Sequence, residues 1–102
     1  MKIIDTKNYF KSKSTIQSES QSDIVTRWDF PPKSCTGWHK HRYDFIVIPI
    51  TDGILRIENI DNKEDTFREL ISGESYTGKA GLEHNVINDS KKYISFIEVE
   101  KK

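Results

Sequence analysis

The chain has 102 residues, 34% of them hydrophobic, and 16 basic side chains balance 16 acidic ones. That length suggests one domain with a modest core, and so few apolar residues favour an oligomer that shares one. No basic stripe argues for nucleic acid, no apolar run reaches membrane-span length and the single cysteine cannot close an internal disulfide, so a cytoplasmic protein with neither nucleic acid nor membrane as partner is expected.

Residues 1–22 carry few apolar positions after Ile4 and read as an N-terminal arm or partly ordered strand. Within them, Lys11 to Asp23 is mostly Ser, Lys, Gln and Glu and reads as a loop or weakly held arm. The folded unit is expected over 23–102. Ile24 to Phe30 is β-branched and aromatic and predicts a strand that Pro31-Pro32 ends. Lys33 to Gly37 is a loop, and Trp38 to His41 reopens extended chain. Tyr43 to Ile50 is the most apolar stretch, with Ile46, Ile48 and Ile50 on one face and Phe45, Val47 and Pro49 on the other. Both faces call for burial, inside a sandwich or at a subunit contact. Pro49 cannot donate to a ladder and implies a bulge or an edge. Asp52-Gly53 predicts a hairpin into Ile54 to Ile60. Further strands are predicted at Thr66 to Leu70, Ser75 to Gly78, Glu83 to Ile87 and Tyr93 to Glu100, separated by polar turns. No segment keeps a helical period over three turns. The fold class is therefore all-β, a sandwich or barrel.

Chemistry concentrates on three histidines. His39 and His41 are two residues apart, and in a strand such residues point to one face, side by side. The remaining histidine, His84, lies in a second patterned stretch: Gly73, five residues, Lys79-Ala80-Gly81, two residues, His84, three residues, Asn88. That stretch resembles the second motif of the cupin superfamily, Gly-x5-Pro-x-Gly-x2-His-x3-Asn, with Lys79 in place of the proline. His39-x-His41 resembles the core of the first cupin motif. The wording from Pro32 through Thr36-Gly37-Trp38 to Tyr43-Asp44 is similar to small cupins associated with bacterial β-alanine degradation.

The resemblance implies a double-stranded β-helix (a jelly-roll barrel), commonly a homodimer, with a divalent transition metal (Fe, Mn, Zn, Ni or Cu) in the barrel mouth. His39, His41 and His84 are the implied ligands, with His84 brought across from the other two. Gly81 would allow the tight turn before His84, and Asn88 would pin the turn after it. Two positions depart from the family. Lys33 stands where the first motif has glycine, and Phe45 and Ile46 stand where its glutamate belongs. Asp44 is the nearest carboxylate, but a regular strand turns it away, so it would ligate only through a bulge. A three-histidine set is therefore favoured. It leaves the ion's charge uncompensated and suits an anionic or chelating ligand. By analogy of site, oxidation of a small thiol is admissible.

Each neighbouring residue has a plainer reading beside the functional one. Tyr43 and Phe45 share the histidines' face in a regular strand and read as walls of a substrate pocket, where Tyr43 can hydrogen-bond a ligand. Arg42 and Lys79 are candidates for a substrate carboxylate, set against the default of solvated charges. Glu83 should face away from His84, and Trp28 and Trp38 read as packing residues. Cys35, four residues before His39, raises a Cys–His nucleophile, but no third orienting group is evident. The expectation is a metal-binding cupin whose ligand is a small carboxylate or thiol metabolite, with oxygenation, isomerisation or lyase chemistry as candidates and no general base identifiable. The alternative is a non-catalytic binding or dimeric scaffold cupin that has lost the metal.

Overall fold

A computed structural model describes residues 6–61 and 64–102. The first five residues of the expected N-terminal arm or strand, and positions 62 and 63 of the turn after Ile60, lie outside the described residues. Among the described residues eleven strands run in chain order: β1 (Phe10–Lys11), β2 (Lys13–Glu19), β3 (Asp23–Phe30), β4 (Ser34–Cys35), β5 (His39–Lys40), β6 (Asp44–Pro49), β7 (Gly53–Asn59), β8 (Thr66–Leu70), β9 (Tyr76–Gly78), β10 (Glu83–Asn88) and β11 (Ile94–Lys101). They form two sheets. One has the order β1-β4-β10-β7-β8, with β5 also on β10; the other has the order β2-β3-β11-β6-β9. All pairs are antiparallel except β1 with β4.

Alternation along the strands explains the core. Phe30, Phe45, Val47, Leu55, Leu70, Val86, Ile94 and Phe96 turn inward and are buried between the sheets. Such close packing of apolar side chains is the main favourable term in folding a chain of this size. On β6 the inward set is Phe45, Val47 and Pro49, while Ile48 and Ile50 are each 38% exposed on the outer face. Pro49 stands where β6 is paired only with β11, because β9 reaches no further than Val47. Its missing N–H is therefore tolerated.

Two sequence expectations give way besides the loop expected over Lys33 to Gly37, within which Ser34–Cys35 pairs as strand β4. Residues 13–19 are not a loop but strand β2, paired with β3 from Lys13–Asp29 to Glu19–Ile24 with an irregularity between Ile16 and Ser18. Every residue of β2 is exposed, so this edge strand carries no apolar alternation to read. The second is the hairpin at Asp52-Gly53. β6 and β7 belong to different sheets, so the turn is a corner between layers. The Asp52 carboxylate accepts the Ser72 backbone N–H at 2.8 Å and Ser72 Oγ donates to the Ile50 carbonyl at 2.9 Å. A Cβ at position 53 would meet Ile94 Cδ1 at 2.8 Å, so glycine lets the corner lie against the core.

Candidate metal centre

The order of strands along one edge of β10 places the histidines. β4 pairs with the end of β10 and β5 with its beginning, and His39 stands directly opposite His84. The chain leaves strand geometry after Lys40. His41 is nevertheless held by backbone bonds, its N–H to the Leu82 carbonyl and its carbonyl from the Gly81 N–H, both 2.8 Å. Gly81, at φ +92°, makes the left-handed turn that brings the chain into β10. The three rings thus converge from neighbouring segments of one sheet. His84 is a lateral neighbour of His39 and not a residue carried over from the far wall, as expected from sequence.

The Nε2 atoms face one another: His39 to His41 is 3.2 Å and His41 to His84 is 3.0 Å. Two imidazole nitrogens on one ion at ~2.1 Å sit roughly 3.0 Å apart at a right angle and roughly 3.4 Å apart at a tetrahedral angle. The two observed spacings match those of adjacent ligands on one ion, and all three ligand atoms lie within 4.8 Å of one another. Nδ1 of His39 lies 3.0 Å from the Gly37 carbonyl, which can only accept, so that nitrogen carries the proton and Nε2 presents its lone pair. Thr36 Oγ1 lies 3.3 Å from the same nitrogen. The loop that aims His39 is fixed by Asn85, whose side-chain oxygen accepts the Gly37 N–H at 3.0 Å. The His41 ring is stacked on Phe45 at 4.0 Å between centroids. Nδ1 of His84 is buried with no hydrogen-bond partner among the described residues.

Burial, with the charge on His39 adding to it, lowers the His41 pKa to about 4. Burial and the charges on His39 and His41 lower that of His84 to about 3. Both imidazoles are therefore neutral at physiological pH, the form that ligates a metal. Three imidazoles aimed at one point, those of His41 and His84 buried and neutral, can hold a metal ion.

The histidines open into a cavity of about 320 Å³ between the two sheets. Phe45 lines it, as expected. Tyr43 and Arg42 do not. Because the chain is irregular between His41 and Asp44, the alternation that would have put Tyr43 beside the histidines is lost, and Arg42 rests over the Tyr43 ring at 5.8 Å. Asp44 is exposed, accepts the Ala80 N–H at 2.9 Å with Lys79 at 4.0 Å, and lies outside the cluster that the three histidines form. Cys35 and Glu83 also lie outside the lining. Trp38 is 52% exposed and packs no core, whereas Trp28 forms part of the cavity wall. The glycine missing from the first motif has left its conformation behind: Lys33 has φ +60°. Its N–H donates to the Asn88 carbonyl at 3.0 Å. Asn88 is fully buried and pins the following turn, donating to the carbonyls of Phe30, Pro31 and Lys92 and accepting from Ser90.

Sequence reasoning missed the polar wall of the cavity. Arg68 of β8 stacks over the Tyr76 ring of β9 at 3.6 Å. Glu98 of β11 is only 8% exposed and lines the cavity from the facing sheet. Burial, with Glu100 close by, pushes its carboxyl up to about 7, against the effect of a hydrogen bond from Trp28. Burial likewise raises the Tyr76 hydroxyl. Only the alternation of β11, with Ile94, Phe96 and Glu98 on one face, signals that this carboxylate turns inward.

No family model matches the chain. It is 43% identical over 86 residues to beta-alanine degradation protein BauB of Pseudomonas aeruginosa, a match spanning 84% of this chain and 88% of that one. Among solved structures it is similar to a cupin domain from Bordetella pertussis, with 39% identity, a TM-score of 0.88 and coverage of 92% of this chain and 96% of the other. An RmlC-like cupin of double-stranded β-helix fold from Methanocaldococcus jannaschii shares the fold alone, at 12% identity and a TM-score of 0.75 over 99% and 90% of the two chains. With 43% and 39% identity to these first two proteins over most of its length, and with their fold, the chain belongs to the cupin superfamily.

Proposed function

We propose that this cupin binds one divalent transition metal through His39, His41 and His84 and acts there on a small carboxylate or thiol metabolite. The observation that carries the reading is the convergence of the three imidazoles on one cavity, with His41 Nε2 3.2 Å from that of His39 and 3.0 Å from that of His84. When bound, such a metal supplies Lewis-acid polarisation of a substrate oxygen or activates a small molecule such as water or dioxygen. The chain contributes the rest. The Gly37 carbonyl holds the tautomer of His39, Phe45 fixes the plane of His41, and the apolar walls Val47, Ile57, Val86 and Phe96 keep bulk water from the floor. Among the described residues no carboxylate joins the three histidines, so an anionic group of the substrate is the natural charge partner for the ion. The relative's name ties it to degradation of a small amino acid, which fits a cavity of this size.

Elemental analysis of protein purified without a histidine tag tests the reading. About one metal per chain is expected, and its loss in His84→Ala. Substoichiometric metal that His84→Ala leaves unchanged favours instead a cupin that binds its ligand without metal. Such a protein would also keep its melting temperature when treated with a chelator.

We further propose a homodimer formed through the outer face of β6 and β11, where Ile48 lies opposite Ile97 and Ile46 opposite Val99. Ile48→Glu places a charge in the middle of that row. Light scattering should read about twice the chain mass for the parent protein and one chain mass for the variant.

A further inference from the structure

Glu98 is a buried carboxyl group without an ionic partner among the described residues. Its neighbours on the inner face are Thr26 and Val47, directly across on β3 and β6, and one hydrogen bond reaches it, from Trp28 Nε1 at 3.4 Å. Among the described residues no cationic side chain lies within ion-pairing distance of it. The nearby cation on this wall, Arg68, is stacked on the Tyr76 ring. On its own strand the next inward residue is another carboxylate, Glu100, whose charge acts on Glu98. The wall is thus short of positive charge at a point where the cavity is lined by the aromatic rings of Trp28, Tyr76 and Phe96. A carboxylate among aromatic faces, shielded from water, is a binding environment for an ammonium group, which gains from the charge and from the rings together.

We propose that Glu98, with Trp28, Tyr76 and Phe96, binds the ammonium group of a small amino acid whose carboxylate end is directed toward the three histidines. This deepens the reading of the metal site and rests on it only for the carboxylate end. Burial of an unpaired carboxylate is costly to the free protein, and a ligand ammonium relieves that cost. Because the ammonium pairs with the ionised carboxyl, binding should weaken as pH falls below about 7, the value to which burial pushes Glu98. The other ionisable groups facing it are Arg68, Glu100 and Tyr76, whose hydroxyl pKa burial raises above its ordinary value.

Calorimetric titration with three probes of one length tests the assignment. β-Alanine has an ammonium and a carboxylate, propionate has the carboxylate alone, and malonate has two carboxylates. At pH 8, β-alanine should bind tighter than propionate and malonate by about tenfold or more. Glu98→Gln, which keeps the shape of the side chain, should abolish the preference, and the variant's thermal melt confirms that it is folded. Equal binding of β-alanine and propionate, a preference for malonate through Arg68, or a preference that survives Glu98→Gln each overturns the proposal. Metal content is measured on the same samples. A chain that holds no metal yet keeps a Glu98-dependent preference sinks the metal reading alone, whereas a metal-loaded chain without that preference sinks this one alone.

Discussion

His39 and His84 are a registered cross-strand pair: they face each other between β5 and β10 with ring centroids 4.7 Å apart. The centre is consequently built on a ladder of backbone hydrogen bonds and needs little rearrangement to receive an ion. Adding a divalent metal to metal-free protein should raise its stability. At a free concentration a hundred to a thousand times the dissociation constant, the gain is about 3–4 kcal/mol. Differential scanning fluorimetry should show a metal-dependent rise in Tm for the parent protein and none for His41→Ala or His84→Ala.

The buried titratable groups set the acid sensitivity of the metal-free protein. His41 and His84 have folded pKa values of about 4 and about 3, below the 6.5 of an unfolded histidine. Between pH 6.5 and about 4 the unfolded chain therefore binds two more protons through them, and stability falls as pH falls. Glu98 acts in the opposite sense. Its folded pKa of about 7 exceeds the unfolded 4.5, so between those values the folded chain binds the extra proton. The net difference near pH 5.5 is one proton, or about 1.4 kcal/mol per pH unit. In Glu98→Gln the opposing proton is gone and the slope should rise to about 2.7 kcal/mol per pH unit. Urea denaturation of chelator-treated protein at pH 5, 5.5 and 6 measures both slopes.

Arg56 is a structural ion-pair hub. It is 5% exposed and donates to Asp89 at 2.6 Å and to Asp65 at 2.7 Å. Burial opposes its charge, but these carboxylates outweigh the effect and strengthen its basicity. Tyr9 donates to Asp89 as well, tying the N-terminal segment to the loop after β10. Arg56→Met leaves two acidic side chains without their cation and should cost about 3 kcal/mol. That corresponds to a fall in Tm of more than about 10 °C by calorimetry. Tyr9→Phe removes one hydrogen bond and should cost about 1 kcal/mol.

Gly78 supports the centre from behind. A Cβ at this position would fall inside the ring of Phe45, the residue stacked on His41. Gly78→Ala should drive Phe45 toward His41, costing about 1–3 kcal/mol of stability. Metal affinity should fall with it, as read by competition with a chromogenic chelator. An alanine variant with parental metal affinity would show that Phe45 does not position His41.

Much of the architecture was legible in the residues. β3, β6, β7 and β11 carry dense β-branched and aromatic runs, and the spacing of Gly81, His84 and Asn88 marks a turn, a ligand and a pin, because local backbone demands leave a local signature. What remained hidden was non-local. Strand β2 is exposed on both faces and has no pattern to read. The corner at Asp52-Gly53 looks like a hairpin until the edges of β6 are seen to be occupied by β11 and β9.

The residues alone determined an all-β chain with three histidines that can meet, because alternation and glycine turns are written one or two positions at a time. Only the tertiary structure decided that His84 sits beside His39, that Tyr43 and Asp44 lie outside the cavity lining, and that Glu98 faces the cavity without a counter-ion among the described residues. Those outcomes depend on which strand lies next to which and on what the facing sheet presents, and such pairings are fixed by the packing of the whole chain.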